Sequence, residues 1–134
     1  MMKSGCIHPG IIRALSLCGH GDKILIADGN YPLNTKSGDA TKVYLGLTEG
    51  IPTVTDVLKV VLQCVNIEKA EVMMPDGEEP HIFSEFREIL GGMKLEAIDR
   101  FGFYETCGQP SVRLAISTGE KRTFSNLLLT IGVA

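Results

Sequence analysis

The sequence predicts an α/β fold, a three-layer sandwich in which helices cover both faces of a mainly parallel, six-stranded sheet. Short apolar runs alternate along the chain with stretches in which apolar residues recur at helical spacing. The runs show little internal alternation, which is typical of strands covered on both faces. A length of 134 residues fits one hydrophobic core. We therefore expect a single domain over residues 1–134.

The first third of the chain contains one predicted helix and two predicted strands. The helix begins near Pro9, carries apolar residues at i, i+4 and i+7, and ends at Gly19. Residues 23–27 (KILIA) form the first predicted strand, and residues 42–47 (KVYLGL) form the second. Between them, residues 29–41 are polar and rich in turn formers. A loop this long in a small domain is more often functional than idle.

The remaining two thirds continue the alternation of helices and strands. After Pro52, a clear helical stripe has period 3.6 and consists of Val54, Val57, Leu58, Val61 and Leu62. The other predicted strands are 69–74, 94–99, 112–117 and 126–131, with helical segments near 83–90 and 101–107 and a polar connection at 118–125. These segments complete the six strands of the predicted sheet.

Composition argues against several classes of protein. The 13 basic and 16 acidic residues leave a net charge of −3 without a basic patch, so nucleic acid is not an expected partner. No apolar run approaches the roughly 18 residues of a membrane span. Pro9 and Arg13 interrupt what a signal peptide would need as its apolar core. The four cysteines form no CxxC pair, and three of them fall in or beside apolar segments, as reduced cysteines of intracellular proteins do, so we expect a cytoplasmic protein.

Two polar residues flank the first predicted strand. His20 lies in the loop GHGD before it, and Asp28 directly follows it. Ligands of α/β proteins collect at the carboxyl ends of strands, where Arg100 also lies, while Asn126 stands where a loop enters a strand. A strand rises about 3.3 Å per residue, so this one spans roughly 17 Å. His20 and Asp28 can therefore meet only if the loop folds back, or if a neighbouring subunit supplies one of them.

Each candidate also has a plain structural interpretation. A loop histidine is usually solvated or caps a helix, and an aspartate after a strand often caps a turn. Arg100 could equally well form an ion pair at the surface, and Asn126 could simply stabilise the turn before its strand. The chain has no phosphate loop and no zinc-ligand spacing among its scattered histidines, so we predict no metal site.

Several motifs in one order identify a family. They are GHGD at 19–22, the strand followed by Asp28 and Pro32, EGIP at 49–52, VMM at 72–74, RFGFYE at 100–105, and TGE…FSNLLL…GV across 118–133. Over nearly its full length the chain resembles the fucose mutarotase and ribose pyranase family. It is more similar to the L-fucose mutarotase branch.

The resemblance implies an isomerase without a cofactor that interconverts anomers or ring forms of a free aldose, such as L-fucose or ribose. It places the family's proton donor at His20 and sugar-binding positions at Asp28 and Arg100. The family's Tyr-Gly-Asn or Tyr-Ala-Asn triplet falls on Phe124, Ser125 and Asn126, so the tyrosine hydroxyl is missing here. Histidine suits this role because its ordinary pKa lies near neutrality, where it can give and take protons.

The resemblance also implies a homo-oligomer, commonly a decameric ring, with sites completed across subunit boundaries. A second interpretation remains open at this point. The chain would then be a monosaccharide-binding or regulatory module of the same fold that has lost catalysis. The reason to consider it is that Phe124 lacks the hydroxyl of the family's tyrosine. The two interpretations differ in whether His20 is needed for turnover.

Overall fold

A computed structural model describes residues 1–134. Its four helices are α1 Pro9–Leu17, α2 Val54–Val61, α3 Ile82–Ile89 and α4 Arg100–Cys107. Its six strands are β1 Lys23–Ala27, β2 Thr41–Tyr44, β3 Ile67–Met73, β4 Leu95–Ile98, β5 Val112–Ser117 and β6 Leu127–Ile131. Every predicted element is present, and the boundaries differ from the sequence-based ones by a few residues. No helix has the length and apolar character that crossing a bilayer requires.

The strands form one mixed sheet in the order β2-β5-β1-β6-β3-β4. Five strands run in the same direction, while β6 is antiparallel to both of its neighbours. The mainly parallel sheet is thus confirmed, with one reversed strand. The reversal follows from chain length, because residues 118–126 between β5 and β6 are too few for the crossover of about a dozen residues that parallel strands need.

Three layers are present, as predicted. Helices α1, α2 and α3 bury their apolar stripes against one face of the sheet. The other face is covered by α4 and by the segment 29–40, which buries Tyr31 and Leu33. This segment has no regular secondary structure, as expected, but it packs as part of the third layer. Ser37 ties it together by donating to the Leu33 carbonyl.

Candidate active site

The connection between β5 and β6 crosses over the carboxyl end of β1. Because β1 lies between these strands in the sheet, residues 118–126 must pass above the residue that follows β1. That residue is Asp28. Its N–H donates to Asn126 Oδ1 at 2.9 Å, and the Ser125 N–H donates to Asp28 Oδ2 at 3.1 Å. The predicted site residues Asp28, Ser125 and Asn126 are therefore brought together by the sheet order.

Asp28 is a buried carboxyl at the floor of a cleft. Only 2% of its surface is exposed, and its second oxygen accepts the N–H of Asn30 at 2.9 Å. Burial raises the pKa of Asp28 above its ordinary value, and the hydrogen bonds from the backbone N–H groups of Ser125 and Asn30 offset this only in part. The carboxyl is held rigidly, as a group that orients a ligand needs to be.

Asn126 presents a donor to the same cleft. Because its Oδ1 accepts the Asp28 N–H, the orientation of the amide is determined, and the Nδ2 group faces away from that bond. The Nδ2 group has no partner within the chain, and Asn126 lines the cleft. A carboxylate that accepts and an amide that donates thus stand side by side at the end of β1.

Arg100 and Phe124 form one wall. Arg100 is the first residue of α4, and its Cζ lies 5.8 Å from the centre of the Phe124 ring. This is a cation–π contact, and the guanidinium has no carboxylate partner. Phe124 has a φ of +56°, a region that bulky residues rarely adopt and that costs about 1–2 kcal/mol. The surrounding contacts must therefore hold this turn in place.

The cleft is small for a complete ligand site. Its volume is about 120 Å³, below the roughly 300–1,000 Å³ of typical ligand pockets. Its lining consists of Asp28, Asn30, Tyr31, Met73, Arg100, Tyr104, Thr123, Phe124 and Asn126. One chain thus forms only part of an enclosure. Met73 is the last residue of β3, so the tendency of ligands to collect at the carboxyl ends of strands also predicts it as a lining residue. Nothing in the sequence indicates Tyr104 or Thr123 in this way.

Neither Tyr31 nor Ser125 offers a hydroxyl in place of the missing tyrosine. The Tyr31 hydroxyl donates to the Lys36 carbonyl at 2.7 Å, and burial raises the pKa of Tyr31. The Ser125 Oγ is buried without a partner, and Ser125 does not line the cleft. Ser125 contributes to the site through its backbone N–H, which any residue other than proline provides.

His20 lies at the opposite end of the sheet. In the GHGD turn, the Gly19 N–H donates to Asp22 Oδ2 at 2.8 Å, and the Gly21 N–H donates to the Ile131 carbonyl at 2.9 Å. The turn is therefore bound to the carboxyl end of β6, beside the amino end of β1. With about 17 Å of strand between them, the chain does not bring His20 to Asp28. The His20 side chain is 57% exposed.

The motif TGE anchors the turn that carries Phe124. The Thr118 Oγ1 donates to the Ala27 carbonyl at 2.8 Å, next to Asp28. At Gly119, a Cβ atom would collide with the carbonyl oxygens of Thr48 and Ile51, so only glycine fits. These contacts hold the connection between β5 and β6 against the end of β1 and against the loop before α2.

Glu120 completes this anchor as a buried carboxylate. Only 2% of its surface is exposed, and it accepts hydrogen bonds from Arg122 Nε at 3.0 Å and from the Val54 N–H, at the start of α2, at 3.4 Å. Arg122 also pairs with Glu85 of α3. The backbone carbonyl of Glu120 accepts the Gly29 N–H at 2.9 Å. Glu120 therefore has a structural role.

This arrangement defines an α/β protein with a small cleft, lined by Asp28, Arg100 and Asn126 among others, at the carboxyl end of β1. The chain belongs to the RbsD / FucU transport protein family, whose match covers residues 1–134. It is 32% identical to the D-ribose pyranase of Pseudomonas entomophila over 145 residues, with 99% of this chain and 98% of that protein covered. It is 29% identical to the D-ribose pyranase of Clostridium botulinum over 136 residues, with the same coverage.

Solved structures show the same fold. RbsD of Bacillus subtilis, complexed with D-ribose, superposes with a TM-score of 0.86 at 24% identity, covering 100% of this chain and 99% of that one. The fucose mutarotase of Streptococcus pneumoniae, in complex with L-fucose, gives 0.84 at 22% identity, with the same coverage. The family is thus one of isomerases that interconvert the ring forms of sugars. The preference for the L-fucose branch stays a prediction.

The buried carboxylate generates a prediction about stability and pH. Burial opposes ionisation of Glu120, but the hydrogen bonds from Arg122 outweigh it and lower the pKa of Glu120. A lowered pKa in the folded state adds stability that is present above the unfolded value near 4.3 and lost as the pH falls through the folded value. Glu120→Gln should lower the free energy of unfolding at pH 7 by about 1–3 kcal/mol. Urea denaturation should show this difference shrinking below about pH 4.

Glu79→Gln is the matched control, because Glu79 is an exposed carboxylate that also pairs with an arginine, Arg87. The unfolding curve of Glu79→Gln should match that of the wild type at pH 7 and at pH 3.5, since exposed ion pairs contribute little to stability. A difference between wild type and Glu120→Gln that stays constant from pH 7 to pH 3.5 would contradict the role assigned to the ionised carboxylate.

Proposed function

We propose that the protein is a cofactor-independent mutarotase that accelerates exchange between the anomers or ring forms of a free aldose, such as L-fucose or ribose. The observation that carries the proposal is the cleft beside Asp28, in which a rigid carboxylate, an unpartnered amide donor and a guanidinium converge. Sugar hydroxyls both donate and accept hydrogen bonds, so this set of groups suits them. Membership of a family of sugar-ring isomerases supports the same conclusion.

In this proposal, three side chains of the cleft bind the sugar. Asp28 accepts from one sugar hydroxyl, while Asn126 Nδ2 and the Arg100 guanidinium donate to others. Each such bond contributes about 0.5–1.5 kcal/mol, and bonds to a charged group contribute somewhat more. Phe124 provides an apolar face beside them. Together these contacts hold the sugar ring in one orientation, which is the condition for efficient proton transfer.

The chemistry itself requires a group that exchanges protons. Ring opening moves a proton from the anomeric hydroxyl to the ring oxygen, while the bond from the anomeric carbon to the ring oxygen breaks and a carbonyl forms. Ring closure on the other face reverses these changes. A positioned histidine contributes about 10²–10⁴-fold to such a step. His20 is our candidate for this role, and the interconversion also proceeds slowly in water, so modest catalysis suffices.

A second copy of the chain supplies His20 in this proposal. At the amino end of the sheet, His20 is exposed, and so are the apolar side chains of Leu17, which ends α1, and Val133, which follows β6. At the carboxyl end, a different exposed apolar group consists of Tyr44, Leu47 and Ile51. Two unlike patches at opposite ends suit a head-to-tail contact, and such contacts form a ring when the rotation between neighbouring copies closes. The decameric ring implied by the resemblance is one arrangement of this kind.

Catalysis can be tested at equilibrium by saturation-transfer NMR on fucose, ribose and galactose. The wild type should accelerate exchange for at least one sugar, and His20→Ala should reduce it by about 10²-fold or more, because the proton-exchanging group is lost. His81→Ala removes a histidine that makes no capping bond at the start of α3, and it should match the wild type. A wild type that binds sugar without accelerating exchange would instead support a binding module.

The shared site can be tested by mixing two inactive variants, His20→Ala and Asp28→Asn. Activity should return wherever the intact His20 of one copy faces the intact Asp28 of the next. In an equal mixture, this holds for about a quarter of the contacts between copies. The exchange rate is measured after joint unfolding and refolding, with native mass spectrometry to show mixed oligomers. Mixed oligomers that remain inactive would rule out a site shared between copies.

Phe124 should influence which sugar is preferred. Phe124→Tyr adds the hydroxyl that the family triplet carries, at a position that lines the cleft. One added hydrogen bond of about 0.5–1.5 kcal/mol changes the relative rates among aldoses by up to about tenfold. Phe101→Tyr is the control, because Phe101 is exposed and lies outside the cleft. An unchanged ranking of sugars in Phe124→Tyr would show that this position does not select the substrate.

A further inference from the structure

We propose that Glu68 is a positioning residue for His20 and determines which nitrogen of the imidazole exchanges protons. The inference rests on the proposed function and assigns to Glu68 a role within it. Both carboxylate oxygens of Glu68 lie within hydrogen-bond distance of one ring nitrogen, His20 Nε2, at 3.1 Å for Oε1 and 2.9 Å for Oε2. The two residues are 48 positions apart in the sequence, so the fold brings them together.

The end of β6 supports both partners of this pair. The turn that carries His20 is held to it by the bond from the Gly21 N–H to the Ile131 carbonyl at 2.9 Å. Strand β3, whose second residue is Glu68, pairs Ile67 with Ile131 in the same sheet. The relative position of the imidazole and the carboxylate is therefore determined by the sheet rather than by two independent loops.

Gly132 provides the space for this contact. A Cβ atom at this position would lie 3.2 Å from Glu68 Cβ, which is tighter than most Cβ contacts, and 3.6 Å from its Oε2, which is an ordinary contact distance. The Gly132 N–H donates to the Asn66 carbonyl at 2.8 Å, which keeps the chain close to the start of β3. The glycine thus leaves room for the Glu68 side chain beside the end of β6.

The pair has a chemical consequence. A carboxylate only accepts hydrogen bonds, so Nε2 must carry the proton that it shares with Glu68. In the neutral ring, Nδ1 then holds the lone pair and is the nitrogen open to a sugar. Nδ1 takes the proton of the anomeric hydroxyl as that O–H bond breaks, and it returns the proton to the ring oxygen as the ring C–O bond breaks. Glu68 stabilises the imidazolium that exists between these two transfers.

No other charged group takes this place at the ring. Asp22, in the same turn, accepts the Gly19 N–H, and the only other titratable side chains that line the hollow beside His20 are the thiols of Cys18 and Cys64. The Glu68 side chain is 46% exposed in the isolated chain, and exposed pairs contribute little to folding. When a second copy covers His20, the same carboxylate acts on the ring more strongly, because less water screens it.

The test compares Glu68→Leu and Glu68→Gln with the wild type, using exchange rates and the ring 15N signals of His20. We expect Glu68→Leu to lower kcat at least about tenfold with KM nearly unchanged, because the sugar still binds beside Asp28. Glu68→Gln should keep much of the rate, since its amide oxygen still accepts the Nε2 proton. In the wild type the signals should show a bare Nδ1 and a protonated Nε2, and in Glu68→Leu a mixture of both tautomers.

Glu96→Gln is the matched control, because Glu96 is 47% exposed, pairs with Lys69 and lies on the neighbouring strand β4. It should leave kcat, KM and the His20 signals unchanged. Unchanged kcat and unchanged ring signals in Glu68→Leu would overturn the inference, and so would a rise in KM at constant kcat. Failure of the proposed function gives a different result, because the wild type itself would then accelerate no sugar.

Discussion

The junction between the end of β1 and the connection from β5 to β6 is the constraint on which the cleft depends. Asp28 bonds to Asn126 through its backbone N–H and to Ser125 through its carboxylate, so both segments are held by one residue. These bonds lie in a buried place, where an unpaired polar group is costly. Asp28 and Asn126, two of the three residues proposed to bind a sugar, are therefore also residues that close this end of the fold.

The turn at Phe124 shows how such a junction stores strain. Its positive φ is unfavourable for a bulky residue, and the motif TGE on one side and Asn126 on the other hold it in place. Glu120 extends this support to α2 and α3. Because these anchors are tied to the core, the backbone that carries Phe124 is held in place, and the first turn of α4 sets Arg100 beside it.

The proposed site would divide its two kinds of chemistry between opposite ends of the sheet. The groups proposed to orient a sugar lie at the carboxyl end of β1, while the imidazole of His20, paired with Glu68, lies at the amino end. An isolated chain would hold a ligand in a cleft of about 120 Å³ without a histidine near it. A head-to-tail assembly of copies would bring these two ends together and would exclude water from the reacting groups at the same time.

The sequence by itself determined the helices and strands, because apolar periodicity is a local property of the chain. It also placed Asp28 and Arg100 at strand ends, and its motifs indicated the family. The tertiary structure decided the direction of β6, the packing of residues 29–40 as part of a layer, and the burial of Glu120. It also showed that the GHGD turn does not fold back toward Asp28 and that His20 meets Glu68 instead. These features depend on which strands become neighbours, and that order arises from contacts between distant segments.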